Sequence, residues 1–355
     1  MPEDRPQVTV HVIVPARNEE DCLGRCLASL VGQQGISFRI TVVDDGSTDR
    51  TRPIAQSFPQ VQVMSAAEPP AGVMGKCNAL ITGAQGSTAD WLLFTDADTV
   101  HYSGSLAAAV REAEERRVDL LSYSPEQEVA SFAERILMPL VFADLVRTYP
   151  PERVNDPNDS TVAANGQYIL VRRKVYEKLG GHQCVSDKLL EDIELARKFK
   201  VSNQNIWFRY GAGMVRTRMY RSFAAMWEGW TKNLALLFSH PLRLAALNLA
   251  VFVSAPALLL GGALSFERHP IAAVPMLGAG IVLSVQHLMQ VRRAHFSWPA
   301  NLMSFLGLPL FASLLVRSWL HSHRRGAVTW KGRTYRQPPA SRGAADSSTQ
   351  GEQAD

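Results

Sequence analysis

Apolar and polar positions change rhythm along this chain, and the rhythm predicts its elements. Residues 8–14 are a β-branched run, broken only by His11, up to Pro15, the pattern of a buried strand stopped by a residue that cannot extend the ladder. Asn18, Glu19, Glu20 and Asp21 then open a helix with Leu23, Leu27 and Leu30 as its apolar stripe. Residues 38–43 form a second strand, which ends in the polar run DDGSTD with a short helix behind it. Residues 61–64 and 91–94 are a third and a fourth strand, and a helix opened by Gly75 and Lys76 runs through Gly83 between them. Strands alternating with helices at this spacing predict a mostly parallel α/β sheet with helices on both faces, in which ligands sit beyond the carboxyl ends of the strands.

Further along, residues 105–117 read as a helix and 119–123 as a strand. Residues 131–149 are a largely apolar helical segment interrupted by Pro139, either a kinked core helix or a surface that meets lipid. Three prolines make residues 150–159 a mobile loop. A strand over 165–171, a short helix over 174–179, a turn at Gly180, Gly181 and His182, and a helix over 187–200 follow. In residues 218–238, Phe223, Met226, Trp227, Trp230, Leu234 and Leu237 recur at intervals of three and four, the stripe of an amphipathic helix at a membrane interface.

Residues 244–266 carry no charged side chain, and at about 1.5 Å per residue they are long enough to cross a hydrocarbon layer of roughly 30 Å. Residues 270–291 are a second such run. Residues 297–316 are a third, but Pro299, Gly307 and Pro309 interrupt it, which predicts a re-entrant or interfacial segment broken near Pro309.

A chain of 355 residues has room for a large core without staples. Its net charge of +4 is modest, and Arg292, Arg293, Arg324, Arg325, Lys331, Arg333 and Arg336 cluster beside the apolar runs and in the tail. That placement fits lipid headgroups and excludes a nucleic-acid stripe. Cys22, Cys26, Cys77 and Cys184 lack metal-ligand spacing and read as reduced thiols of a cytosolic domain. The first ten residues have no basic region followed by an apolar one, so no signal peptide is expected and the front half stays where it is made.

The chemistry collects at the strand ends. Asp96 and Asp98, two residues apart after the fourth strand, can face one ligand where the loop turns. Carboxylate oxygens suit Mg²⁺ or Mn²⁺, which take one or two protein carboxylates plus substrate phosphate oxygens. Asp44 and Asp45 can accept hydrogen bonds from a base or ribose, Lys76 can pair with a diphosphate, and Glu191 with Asp192 supplies a carboxylate able to take a proton from an acceptor hydroxyl. Taken singly, Asp44 is a turn former, Lys76 a surface lysine and Asp192 a first-turn helix carboxylate. Their common order along the chain is what singles them out.

The runs VIVPARNEE, VVDDGSTDRT, GKCNAL, FTDADT, NGQYILVRR and LLEDIELARKF resemble the family 2 glycosyltransferases, over roughly residues 8–235. The resemblance implies a GT-A fold, a nucleotide-sugar donor, a divalent metal and inversion at the anomeric carbon. Position by position it implies Asp45 and Asp44 on uracil and ribose, and Lys76 on the donor nucleotide. It places Asp96 against the nucleotide or sugar, Asp98 on the metal, Asp192 as general base and Glu191 assisting by position. Membrane-bound members continue with QxxRW; here the register reads Met226, Trp227, Glu228, Gly229 and Trp230, so only Trp230 survives as a donor-site residue, and Lys232 stands in for the missing arginine charge. That departure argues against a processive polysaccharide synthase. The apolar block and the run VTWKGR look like the ceramide glucosyltransferase and carotenoid or hopanoid glycosyltransferase branches, which implies a lipid acceptor.

The resulting expectation is a GT-A domain over 8–215, an interfacial helix over 216–243, transmembrane helices over 244–325, a basic cytosolic motif over 326–336 and a disordered tail over 337–355. The protein would be a multi-pass protein of the cell inner membrane with its catalytic domain in the cytosol, using a nucleotide sugar and a lipid and no nucleic acid. A polyprenyl-phosphate sugar synthase and a non-catalytic membrane scaffold are the alternatives. The sugar, the lipid and the oligomeric state are not written in these residues.

Overall fold

The computed structural model describes residues 8–324, 327–330 and 333–336. The front half runs β1 (Thr9–Ala16), α1 (Leu23–Val31), β2 (Ser37–Asp44), α2 (Thr51–Gln56), β3 (Val61–Ser65), α3 (Gly75–Ala84), β4 (Trp91–Phe94), β5 (Thr99–His101), α4 (Ser105–Glu115), β6 (Leu120–Ser124) and β7 (Glu126–Gln127). Next come α5 (Phe132–Thr148), α6 (Pro151–Val154), β8 (Ile169–Arg172), α7 (Arg173–Lys178), α8 (Glu191–Val201), β9 (Ile206–Tyr210) and β10 (Val215–Thr217). The back half is helical, with α9 (Phe223–Leu237), α10 (Pro241–Ser265), α11 (Pro270–Arg292), α12 (Trp298–Met303) and α13 (Leu308–Arg324), before a hairpin of β11 (Ala327–Trp330) and β12 (Arg333–Arg336).

Seven strands form one sheet in the order β3-β2-β1-β4-β8-β6-β9, and every neighbouring pair is parallel except the two that involve β8. Alternation along β1 divides the core. Val10, Val12 and Val14 meet α1 and α4 on one face, while Ile13 meets α3 and α8 on the other. Pro15 lies inside β1 rather than ending it. Pairing with β4 stops at Ile13, so Pro15 needs a partner on the β2 side alone, where it sits opposite Val43.

Several expectations are corrected. β8 begins at Ile169, because residues 165–168 turn before the strand, and α8 begins at Glu191 rather than residue 187. The short strands β5, β7 and β10, which make a second sheet, and β9 at the edge of the first carry too little alternation to be read from sequence. Residues 150–159 hold the turn α6, tied down where Lys200 Nζ donates to the carbonyls of Val154 and Thr161, each at 2.8 Å.

α5 is a core helix. Ser131 caps it, its Oγ accepting from Glu134 N–H at 3.2 Å, while Glu134 Oε2 accepts from Ala130 N–H at 2.7 Å. Leu137, Leu140 and Val141 then pack with Met226, Trp230 and Leu234 of α9 and Phe311, Leu314 and Leu315 of α13 in a third apolar core. Asp144 accepts from Gln290 of α11 at 2.8 Å, a polar tie between the two halves.

Among the described residues, three helical segments are long and apolar enough to cross a membrane: Pro241–Ser265, Pro270–Arg292 and Trp298–His323. The first two expose most of their surface, with 17% and 11% of their apolar windows buried, against 50% in the third. The third is broken into α12 and α13 by a 3-10 turn, Ser304–Gly307. There the backbone approaches α5 so closely that a Cβ on Gly307 would lie 2.0 Å from the Ile136 carbonyl oxygen. Lys331 and residues 337–355, expected in the basic motif and the tail, lie outside the described residues.

Candidate active site

The polar strand ends converge on one cavity of about 890 Å³. Lys76, the second residue of α3, places Nζ 2.9 Å from Asp96 Oδ1 and 3.0 Å from Glu191 Oε1. Its ammonium thereby joins three elements far apart in sequence: the start of α3, the exit from β4 and the start of α8. Glu191 and Asp192 open α8, where the positive end of the helix dipole favours carboxylates. Asp192 accepts from Gly166 N–H at 2.9 Å through Oδ2 and from Ile193 N–H at 2.8 Å through Oδ1.

Asp98 is held from β8. That strand runs antiparallel to β4 with Phe94 opposite Ile169, so the residues entering β8 cross the same sheet edge as the residues leaving β4. Gln167 Nε2 accordingly reaches Asp98 Oδ2 at 3.2 Å and Oδ1 at 3.3 Å. Beneath this contact Thr95 Oγ1 donates to the Gln167 carbonyl and Thr99 Oγ1 to the Asp96 carbonyl, both at 2.8 Å.

The other expected residues divide. Asp45 lines the cavity, and Arg17 donates to its carbonyl. Asp44 is not among the lining residues: it is buried in its turn, accepting from Ser47 N–H at 3.1 Å with an Arg52 nitrogen 3.6 Å away. Trp230 lines the cavity, packed edge-on against Phe142 and Tyr220 at ring separations of 6.2 and 5.8 Å. Its indole nitrogen is buried and has no partner among the described residues. Lys232 lines the cavity too, and burial pushes its ammonium down to about 8.

Burial and like charge shape the carboxylates. Burial opposes charge on Lys76, yet Asp96 and Glu191 hold its pKa well above the ordinary lysine value. Burial raises the Glu191 carboxyl, and the Lys76 ammonium overcomes that and leaves it below its ordinary value. Asp98 is pushed up to about 7, by burial first and then by Asp96 and Glu19, and Asp192 up to about 6 by burial and Glu191.

Residues 11–180 match the model of Glycosyl transferase family 2. The chain carries a glycosyl transferase family 2 domain. It is 29% identical over 335 residues to 4,4'-diaponeurosporenoate glycosyltransferase of Staphylococcus aureus (strain MRSA252), covering 91% of this chain and 87% of that protein. The protein of the same description from strain USA300 is 28% identical over the same shares. Among solved structures, the mannosyltransferase PcManGT from Pyrobaculum calidifontis, in complex with GDP-Man and Mn²⁺, aligns over 88% of this chain and 86% of its own at 17% identity and a TM-score of 0.49. S. aureus TarS 1-349 with UDP-GlcNAc aligns over 93% and 97% at 14% identity and a TM-score of 0.45. The mostly parallel sheet carries most of the matched family 2 region, and the C-terminal helices follow it.

Two residues of this candidate site escape sequence reasoning. A Cβ on Gly166 would lie 2.9 Å from Lys76 Nζ and in ordinary contact, at 3.5 Å, with Asp192 Oδ2, so the glycine leaves the ammonium room to sit where it does. Gln167 looks like a strand residue until the antiparallel register of β8 brings it to Asp98. The run NGQ marks a turn, but nothing in it names its partners.

The donor set fits a divalent cation. Among the described residues no group of three or more His, Cys, Asp or Glu side chains forms a complete metal cage. Asp98 and Asp96 line the same cavity and are the carboxylates that would hold Mg²⁺ or Mn²⁺, with phosphate oxygens of a substrate completing the shell. Burial does most to raise the Asp98 carboxyl, and the smaller contribution from Asp96 and Glu19 is negative charge that such a cation would balance.

Proposed function

We propose that this glycosyltransferase moves a hexosyl unit from a nucleotide-diphosphate sugar, in our reading a UDP-sugar, to a lipid acceptor at the cytosolic face of a membrane. Transfer inverts the anomeric carbon and requires Mg²⁺ or Mn²⁺. One observation carries this reading: Asp45, Lys76, Asp96, Asp98 and Asp192 line a single cavity that is also walled by α5 and α9, the helices packed against the apolar C-terminal block. The S. aureus relative, named as acting on diaponeurosporenoate, aligns over 91% of the chain, membrane helices included, and supports an apolar acceptor.

In this mechanism Asp45 orients the uridine, while Asp44 shapes the turn that presents it. Lys76, on the first turn of α3 where the helix dipole also favours anions, holds the diphosphate, and Glu191 fixes the position of Lys76. Asp98 and Asp96 would hold a divalent cation, which would supply positive charge against the leaving diphosphate. Asp192 takes the proton of the acceptor hydroxyl as the acceptor oxygen bonds to the anomeric carbon from the face opposite the leaving group. The bond to the diphosphate breaks, and its electron pair leaves with the nucleoside diphosphate. Trp230 forms part of the wall around the reacting groups.

For topology we propose a hairpin of α10 and α11 that returns Arg292 and Arg293 to the cytosol. α12 and α13 form a re-entrant segment. Their break at Ser304–Gly307 and their greater burial support this arrangement.

A screen of nucleotide sugars against the purified full-length protein, with mass analysis of the lipids formed, tests the reaction. Transfer to a lipid from one nucleotide sugar is expected. Failure to transfer or hydrolyse any of them rejects the reading.

A further inference from the structure

The loop that carries Asp96 and Asp98 rests on a buried polar cluster to which the mechanism above gives no part. Thr95, Thr99 and His101 are 0%, 0% and 4% exposed. Thr95 Oγ1, Thr99 Oγ1 and His101 Nε2 form a near-equilateral triangle with sides of 3.0, 3.1 and 3.2 Å.

Each hydroxyl has one proton to give. Thr95 Oγ1 donates to the Gln167 carbonyl and Thr99 Oγ1 to the Asp96 carbonyl, each at 2.8 Å, and a carbonyl oxygen can only accept. Both hydroxyl protons are thereby committed, and the two oxygens would face each other at 3.0 Å with lone pairs alone. The third corner must supply the donor. Burial pushes the His101 imidazole down to about 3, so the ring is neutral and carries a single proton. That proton is on Nε2, shared between the two hydroxyls. Nδ1 is then the bare nitrogen, and it has no partner among the described residues.

The triangle ties together two segments far apart in sequence. Through Thr99 it fixes the carbonyl of Asp96 on the exit from β4, and through Thr95 the carbonyl of Gln167 on the entry to β8. The Gln167 amide nitrogen then divides its two protons between the Asp98 carboxylate, at 3.2 and 3.3 Å, and Thr217 Oγ1 at 3.2 Å. Thr217 Oγ1 in turn donates to the Asp98 carbonyl at 3.2 Å. His101 is itself anchored from two sides: in β5 it lies opposite Val215 of β10, and its backbone N–H donates to Ser29 Oγ of α1 at 3.0 Å.

Resting on the reading of Asp98 and Asp96 as metal carboxylates, we propose that His101 is a positioning residue for the cation. Its Nε2–H frees both threonine protons for the two carbonyls, and so holds Asp96, Asp98 and Gln167 in their mutual arrangement. Without that donor one hydroxyl must turn toward the other and release its carbonyl.

The test uses detergent-purified full-length protein, with Mn²⁺ titrated by calorimetry in the presence of UDP and UDP binding measured separately without metal. His101→Phe, which keeps a ring but has no donor, should weaken Mn²⁺ binding about tenfold, the lower end of the range for groups that support a metal ligand, and leave metal-free UDP affinity unchanged. His101→Gln, whose amide nitrogen reaches the place of Nε2, should restore most of the loss. Should His101→Phe not fold, Thr99→Val removes another corner of the triangle and should show the same weakening. In wild type carrying isotope-labelled histidine, the resonance that disappears in His101→Gln should be that of a neutral ring protonated on Nε2. A ring protonated on Nδ1, equal losses in the Phe and Gln variants, or wild-type Mn²⁺ affinity in whichever variant lacks the donor or the hydroxyl and folds overturns the positioning role and leaves the metal reading standing. A wild type without Mn²⁺-dependent UDP binding overturns both.

Discussion

The backbone N–H of Gly166 donates to Asp192 Oδ2 at 2.9 Å, and the hydrogen that replaces a side chain at Gly166 leaves room for the Lys76 ammonium. One residue thus positions the base and admits the cation. In Gly166→Ala the new methyl would meet Lys76 Nζ at 2.9 Å, the end of a flexible side chain that can move aside. The fold should survive with a stability change within about 1 kcal/mol, while kcat/KM falls roughly tenfold or more as Lys76 leaves the diphosphate. Kinetics beside thermal unfolding check this. An unimpaired enzyme would mean that the position of Lys76 is not critical.

The Asp192 carboxyl, raised to about 6 by burial and then by Glu191, must be ionised to act as a base. The kcat/KM profile should therefore fall as pH drops through about 6 and level off above it. Glu191→Gln removes the neighbouring negative charge and should move that acidic limb to lower pH, besides weakening the grip on Lys76. A limb that stays in place in Glu191→Gln would detach it from Asp192.

Gln167→Leu removes the amide that spans both oxygens of Asp98. Loss of such a supporting contact typically weakens metal affinity about 10- to 100-fold. Titrating Mn²⁺ into the protein with donor present, and following donor binding by calorimetry, would reveal that shift. Wild-type metal dependence in the variant would show that Gln167 does not tune the site.

Much of this was legible in the residues. The β-branched runs of β1 and β2, the apolar run of β4, the stripes of α1 and α9 and the uncharged spans of α10 and α11 declared themselves, because burial on one face imposes a period and burial along a full span removes charge. Asp96, Asp98, Lys76, Glu191 and Asp192 could be picked out by their order, and the structure brings their side chains to one cavity. What stayed hidden depends on register or approach between distant segments. β8 reads like any other strand, and only its antiparallel run puts Gln167 on Asp98 and Gly166 on Asp192. Asp44 and Asp45 are alike in sequence and both are buried, yet the first accepts from Ser47 N–H within its turn and only the second is on the cavity wall. Gly307 looked like a simple helix breaker, although its conformation is tied to the close carbonyl of Ile136.

Away from the site, Glu112 of α4 anchors the far edge of the sheet. It accepts from the Tyr123 hydroxyl, from Trp207 Nε1 at 3.0 Å and from Arg209 Nη2 at 2.8 Å. Glu112→Ala strands these donors and should destabilise the protein by about 1–3 kcal/mol. Although burial opposes its charge, its hydrogen bonds from Arg209 and Tyr123 hold its pKa down to about 2. The stability it contributes is therefore present above the ordinary glutamate range and is lost as pH falls toward 2. Acid unfolding of Glu112→Gln should lack that loss. An unchanged acid arm would place the sensitivity elsewhere.

The most direct measurement is transfer of labelled sugar into membrane lipid by the full-length protein and by Asp192→Asn, with donor affinity measured for both. Wild type should produce a labelled lipid, and Asp192→Asn should slow this by about 10²- to 10⁴-fold, the range for a positioned base, with donor affinity retained. Equal labelling by the two proteins would contradict the assignment of Asp192, and no labelled lipid from any nucleotide sugar would contradict the reaction itself.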